Sequence, residues 1–286
     1  MSDLGERVRA TADELSGSRD QVVVAALRGD EVEIAGDPDA VFEIGSITKV
    51  FTALALARDG GLDEPLLPRK ERGGVAITLE HLARHTSGLP RLPTGMLLKA
   101  LLHPLQPDPY AGCTADFLDS ALARTRLKSV PGQKFRYSNF GAGLLGLALS
   151  RRAGVSYDEL IARLTGPLGM TSTGVTLEPL QPHRASGQPT PPWNLADLAG
   201  AGGLRSTAAD LILFLRAQLT DASIGWMERQ LPGGRSQLWH NGATGGSCAF
   251  AGLEPGRGVA VVALSNTMRL MDKPAVDLLT TLGETE

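Results

Sequence analysis

Apolar positions along this chain follow two periods. Near both ends they form short β-branched runs. Residues 21–27 and 31–34, parted by Arg28, Gly29 and Asp30, predict a hairpin, and residues 237–240, 247–253 and 258–264 predict three successive strands. Between these runs the spacing turns helical. Residues 42–57 predict a strand end, a glycine turn at Gly45 and an apolar helix. Residues 78–85, 114–125, 139–152, 156–164 and 208–219 predict further helices, with Ser156 and Glu159 spaced as a capping box and Thr207 as a cap. A weakly amphipathic helix over residues 2–15 opens the chain and another over 272–282 closes it.

Short turns between the late strands favour antiparallel pairing, because parallel neighbours need longer crossovers. The expected fold class is therefore α+β, an antiparallel sheet built from both chain termini and flanked by helices, with an inserted all-α domain. The expected division is a sheet domain, first part, over 1–60 including the helix after Gly45, a helical insertion over 61–189, and the sheet domain's second part over 190–286. No internal repeat interrupts this layout.

Composition narrows the partners. With 286 residues, 42% of them hydrophobic, the chain can bury a full core. A net charge of −3 without a basic run gives no footprint for nucleic acid. The first residues lack the apolar stretch of a signal peptide and no apolar run is long enough to span a bilayer, so the expected setting is cytoplasmic, without membrane contact. Cys113 and Cys248 stand far apart and read as thiols rather than a metal pair. Oligomeric state is left open.

The chemistry concentrates in three short patterns. Ser46 and Lys49 lie three apart at a helix start, so the amine faces back toward the hydroxyl, and the helix's unpaired first-turn N–H groups favour an anion at Ser46 and an uncharged lysine beside it. A base beside a nucleophile points to acyl transfer. By itself the pair reads more readily as an N-cap and a solvated helix lysine. Tyr137-Ser138-Asn139, just before a helix, is the rarer pattern: three Tyr and four Asn give about 0.04 matches to Tyr-x-Asn by chance. His240-Asn241-Gly242 ends a predicted strand, where a glycine permits close approach of substrate.

With these three motifs in order, joined by residues 85–90, 167–171, 201–211 and 264–266, most of the chain resembles the serine hydrolases of the class C β-lactamase, D-alanyl-D-alanine carboxypeptidase and esterase superfamily, which are penicillin-binding-protein-like. The resemblance implies a β-lactamase/transpeptidase-like fold and an acyl-enzyme on Ser46, with Lys49 and Tyr137 as the base pair. It implies Asn139 as a contact to substrate and to Lys49, His240 where many relatives carry Lys, Gly242 at the substrate edge, and an oxyanion hole from the N–H groups of Ser46 and Ala243. No cofactor or metal is implied. The physical logic agrees: Lys and Tyr are each too basic alone, with ordinary pKa values of roughly 10.4 and 10, but a proton shared between them can leave one basic site free.

Weaker signals are read as structural. His81 and His85 are four apart but lack an intervening Glu and a third ligand, and by resemblance His85 anchors a turn through the backbone. Gly200 to Gly203 lacks the strand and Lys-Ser/Thr of a phosphate loop and reads as tight packing. Trp193 and Trp239 read as core or rim. The expected activity is hydrolysis or acyl transfer on a small-molecule ester or amide. An apolar stretch with Met96, Leu97, Leu98, Leu101 and Leu102, followed by Pro104, Pro107, Pro109 and Tyr110, suggests a preference for uncharged acyl groups. Histidine in place of Lys at position 240 weighs against a β-lactamase or D-alanyl-D-alanine peptidase, the same-class alternative; a catalytically silent ligand-binding protein is the alternative of another class.

Overall fold

The computed structural model describes residues 2–96, 108–222 and 224–284. Leu97, Leu98, Leu101, Leu102, Pro104 and Pro107 of the apolar stretch lie outside the described residues.

Hairpin strands β1 (Val22–Arg28) and β2 (Glu31–Ala35) form where the β-branched runs predicted them. Among the described residues they join β7 (Met227–Gln230), β8 (Ser236–Ala243), β9 (Cys248–Glu254) and β10 (Val259–Ser265) in one antiparallel sheet of order β2-β1-β10-β9-β8-β7. The seam that closes it is long-range. β1 pairs with β10 from Val22 against Ser265 to Arg28 against Val259, so the two ends of the chain share the sheet's centre.

Side chains alternate between faces along each strand, and both faces are covered. Val24, Ala26, Val261, Ala263 and Phe250 meet α1 (Asp3–Ser16) and the closing helix. Val23, Ala25, Leu27, Val262 and Leu264 belong to the larger core beneath the remaining helices. This double burial explains why β9 and β10 read as unbroken apolar runs rather than as alternating ones. The edge strand β7 escaped the sequence reading because Glu228, Arg229 and Gln230 are exposed and carry no apolar signal. β8 runs on to Ala243 although Asn241 and Gly242 look like a turn.

A two-residue strand β3 (Phe42–Glu43) pairs with β6 (Arg205–Ser206) and delivers the chain to a 3₁₀ turn, Gly45–Ile47, and then to α2 (Thr48–Asp59). α2 is buried from Thr48 to Leu56, the pattern of a helix enclosed on all sides. Between α2 and β6 come the ribbon β4 (Glu71–Arg72) and β5 (Val75–Ala76) and the helices α3 (Leu79–Ala83), α4 (Ala115–Arg124), α5 (Asn139–Ala153) and α6 (Tyr157–Thr165). Ser138 caps α5 by accepting from the Gly141 N–H, and Ser156 and Glu159 close the predicted capping box on α6. α7 (Ala208–Thr220), capped by Thr207, packs on the sheet, and α8 (Asp272–Glu284) closes the other face. Among the described residues no helix is long and apolar enough to cross a membrane.

Phe51 of α2 stacks on Phe214 of α7 with ring centroids 4.0 Å apart, both rings fully buried. This contact ties the helix that follows Ser46 to the sheet. Phe51→Ala is expected to destabilise the fold by about 3–5 kcal/mol in urea unfolding, the usual range for deleting a buried ring; a change below about 1 kcal/mol would show that the stack is not a structural support.

Candidate active site

The site begins with a backbone contact. Gly45 has φ +49°, and a Cβ placed on it would lie 2.6 Å from the Ala243 nitrogen; a Cβ on Gly242 would lie 1.9 Å from the Ile44 carbonyl oxygen and 3.0 Å from the Ser46 nitrogen. Only a glycine pair lets these two backbones touch. The edge of β8 is free for the contact because its ladder with β7 stops at Trp239, short of His240. Ser46 and Ala243 therefore sit on facing strands of backbone.

Ser46 lies in the 3₁₀ turn rather than in α2, and it makes no cap to the helix. Lys49, in the first turn of α2, reaches back to place Nζ 2.8 Å from Ser46 Oγ, as the three-residue spacing predicted. A second contact, 2.5 Å to the Ala201 carbonyl, holds the amine from the other side. The same face of α2 fixes that carbonyl's segment: Thr48 Oγ1 accepts from the Leu204 N–H at 3.1 Å and Thr52 Oγ1 donates to the Gly200 carbonyl at 2.9 Å. The glycines from 200 to 203 are thus a tight-packing segment, with Gly200 against the Gly146 backbone of α5.

Tyr137, presented by the loop before α5, interacts through its phenol with Ser46, and its ring centre lies 4.9 Å from Lys49 Nζ. His240 comes within 6.3 Å of that ring, centre to centre. A cavity of about 350 Å³ opens above these groups, lined by Ser46, Tyr137, Asn139, Gly242 and Ala243 together with Arg91, Tyr110 and Trp193.

The beta-lactamase family profile matches residues 8–224 of this chain. The chain belongs to the beta-lactamase family. Among characterised relatives, it is 33% identical over 198 residues to the D-alanyl-D-alanine-carboxypeptidase/endopeptidase AmpH of Escherichia coli K12, a match covering 64% of this chain and 50% of that protein. It is 26% identical over 295 residues to penicillin-binding protein 4 of Amycolatopsis lactamdurans, covering 82% and 74%. The chain thus spans about half the length of the Escherichia coli relative. Among solved structures, it resembles a beta-lactamase/D-alanine carboxypeptidase from Pseudomonas syringae at TM-score 0.81, 20% identity and full coverage of both chains. It also resembles a class C beta lactamase from Rhodobacter sphaeroides at TM-score 0.79 and 21% identity, covering 96% and 99%. These likenesses establish the β-lactamase/transpeptidase-like fold.

Within this family frame, two contacts depart from expectation. Asn139 makes no hydrogen bond to Lys49: its amide donates to the Tyr110 hydroxyl at 3.4 Å, and its buried Oδ1 has no partner among the described residues. The second departure concerns what lines the cavity. Arg91 was missed because it stands in a loop, where no periodicity marks a direction, whereas Trp193, read as core or rim, and Tyr110, at the end of the apolar stretch, both line the cavity. Tyr110 and Trp193 meet edge to face at 5.1 Å, and both loops hang on buried Asp108, which accepts from the Tyr110 and Asn194 N–H groups. His81 and His85 face separate partners. His81 Nδ1 closes the cap of α3 at the Thr78 N–H, and His85, at φ +56°, accepts from the Ser138 N–H through Nδ1 and so anchors the turn that carries Tyr137.

Electrostatics divide the labour between Lys49 and Tyr137. Burial pushes the Lys49 amine well below its ordinary range, and the Arg91 charge pushes it further. Burial pushes the Tyr137 phenol up, against the opposing contact with Ser46. Burial thus favours the uncharged amine and the protonated phenol beside Ser46. Burial above all brings His240 down to about 4 and His85 down to about 3.

Both imidazoles are neutral when folded and take up protons near pH 6.5 when unfolded, so stability is full above 6.5 and falls as the pH drops toward 4. For His240 alone, a shift from 6.5 to about 4 corresponds to a loss on the order of 3 kcal/mol. Urea unfolding across that window should show this decline, and His240→Asn should reduce its slope; equal stability of the wild type at both ends would contradict the neutral buried imidazoles.

Proposed function

We propose that this chain is a serine hydrolase that forms a covalent acyl-enzyme on Ser46 with a small-molecule ester or amide. The observation that carries the reading is the buried Lys49 amine, 2.8 Å from Ser46 Oγ and 2.5 Å from the Ala201 carbonyl. An uncharged amine donating one N–H to that carbonyl turns its lone pair toward the serine hydroxyl.

In the proposed sequence the Ser46 proton passes to Lys49 Nζ as Oγ bonds to the substrate carbonyl carbon. The N–H groups of Ser46 and Ala243 stabilise the resulting oxyanion, a contribution typically of about 2.7–4 kcal/mol for each donor. Tyr137 then gives its proton to the leaving oxygen or nitrogen as the C–O or C–N bond breaks, and recovers one from Lys49. His240 Nδ1, 2.7 Å from the Asn241 carbonyl, acts as the donor there, which leaves Nε2 as a buried, unpartnered lone pair on a ring 6.3 Å from that of Tyr137. Water, or another acceptor in an acyl transfer, takes the acyl group in the reverse order. Asn139 and Gly242 border the substrate. A silent binding protein would have no use for a desolvated amine against a half-buried serine, since such an arrangement opposes stability.

One observation favours a second reading of the substrate. Arg91 projects into the cavity, 5.7 Å from the Tyr137 ring centre, and no Asp or Glu lines that cavity among the described residues. A carboxylate-bearing amide, such as the D-alanyl-D-alanine peptides named for the Escherichia coli relative, would find a cation there. Arginine at this position weighs against a purely uncharged acyl group.

Ser46→Ala is expected to abolish turnover of p-nitrophenyl acetate while leaving the unfolding curve nearly unchanged; retention of most of the activity would remove Ser46 from the nucleophile's place. Lys49→Met and Tyr137→Phe should each lower kcat by orders of magnitude and together little further, because residues acting as one unit are non-additive. For the substrate, Arg91→Gln should lower kcat/KM about tenfold or more on a succinyl or peptide carboxylate substrate and leave the acetyl ester within about twofold. Equal effects on both would assign Arg91 no part in recognition.

A further inference from the structure

Glu43 is a charge-bearing group that the proposed chemistry does not use. Its side chain is 3% exposed, it lies three residues before the nucleophile, and among the described residues it has no ion pair. Burial pushes its carboxyl pKa up. The charge of Arg205 on the paired strand β6 opposes that shift, and the hydrogen bonds that the carboxyl accepts oppose it more strongly.

Three donors converge on it from two segments. The Trp193 N–H donates to Oε1 at 2.7 Å, and the hydroxyls of Thr244 and Ser247 donate to Oε2 at 2.8 and 3.1 Å. Thr244 Oγ1 in turn accepts from the Ser247 N–H at 3.1 Å and the Gly246 N–H at 3.4 Å. The turn from Thr244 to Ser247, which connects β8 to β9, is therefore suspended from a carboxylate on β3, the strand that leads into the Ser46 turn. Ala243 is the residue immediately before that turn. Gly245 of the same turn packs on the Trp193 indole so closely that a Cβ there would lie 2.6 Å from its Nε1.

The geometry points to Glu43 as a positioning residue of the oxyanion site: it locks the Ala243 end of β8 to the Gly45–Ser46 backbone, so that the two N–H donors stand ready as one unit. The inference rests on the serine hydrolase reading and adds to it a residue that never touches substrate. Chemistry at Oε1 and Oε2 makes the requirement specific to a carboxylate. In Glu43→Gln one end of the side chain becomes an NH2 group, which must face either the Trp193 N–H or two hydroxyls. Thr244 Oγ1 already accepts two backbone N–H groups, so it cannot take a third donor without giving one up. Either orientation breaks the suspension while keeping the side chain's size.

A transition-state analogue separates positioning from simple support. Phenylboronic acid forms a bond from Ser46 Oγ to boron, boron becomes tetrahedral and anionic, and the serine proton passes to Lys49; the adduct therefore draws on the oxyanion donors, whereas ground-state binding of an ester draws on them less. Displacing rather than deleting one donor should cost about 10- to 100-fold. The expected result for Glu43→Gln is a kcat for p-nitrophenyl acetate lower by that factor, a phenylboronic acid Ki higher by the same factor, and a KM within about twofold, all per active site titrated with a fluorophosphonate. Ser247→Ala and Thr244→Val, which trim the same suspension from the loop side, should move kcat and Ki together in the same direction and combine non-additively with Glu43→Gln, even if that variant folds poorly. An unchanged Ki in all three variants, or a loss of kcat that vanishes once expressed per titrated site, would overturn the inference. If Ser46→Ala binds phenylboronic acid as tightly as the wild type, the hydrolase reading falls and this inference with it; that outcome is distinct because it requires no change at Glu43.

Discussion

The contact between the Gly45–Ser46 turn and the Gly242–Ala243 end of β8 is the constraint on which the site depends. Two backbones approach here to distances that no Cβ would tolerate. Everything around the contact holds one side or the other: β3 pairs with β6 to fix the turn, the Ile44 N–H donates to the Leu204 carbonyl, and the β8–β9 ladder continues through Ala243 to fix the strand. The central pairing of β1 with β10 completes the frame, because it ties the chain's first strand to the sheet that carries β8. A local glycine contact thus requires a global sheet.

Much of this was legible in the sequence, and for identifiable reasons. The β-branched runs and capping residues marked strands and helices to within a few residues because burial on a defined face leaves a period. Ser46 and Lys49 could be paired from their spacing alone, since a helix start fixes which face the amine covers. Tyr137 and His240 carry no such local rule. They came from resemblance, and the fold brings them to Ser46 from a loop before α5 and from β8. Glu43 was present in the strongest stretch of the sequence yet read only as the end of a strand, because its partners Trp193, Thr244 and Ser247 are some 150 to 204 residues away. Arg91 was invisible for a related reason: a loop side chain has no period, and only the fold decides that it lines the cavity.

The electrostatic design is economical. One basic side chain, Lys49, is stripped of water and held by a carbonyl; its neighbours are a phenol, two neutral imidazoles and the Arg91 cation, none of which offers it a counter-charge. Removing counter-charges is the simplest way to keep a lysine unprotonated, since a nearby carboxylate would restore its charge. The buried Glu43 carboxylate is occupied instead by the neutral donors of Trp193, Thr244 and Ser247. Among the described residues Arg91 lines the cavity and no Asp or Glu does, which sets the charge that a substrate meets.

The central claim is that Ser46 alone among the chain's serines is made nucleophilic by an unprotonated Lys49. Labelling the folded protein with a fluorophosphonate and mapping the adduct by peptide mass spectrometry tests it most directly. The account predicts a single phosphonyl group on Ser46 at neutral pH, formed at a rate that collapses when Lys49 is replaced by Met. Absence of an adduct in the folded wild-type protein, or labelling of Ser46 as fast without the lysine as with it, would contradict the account.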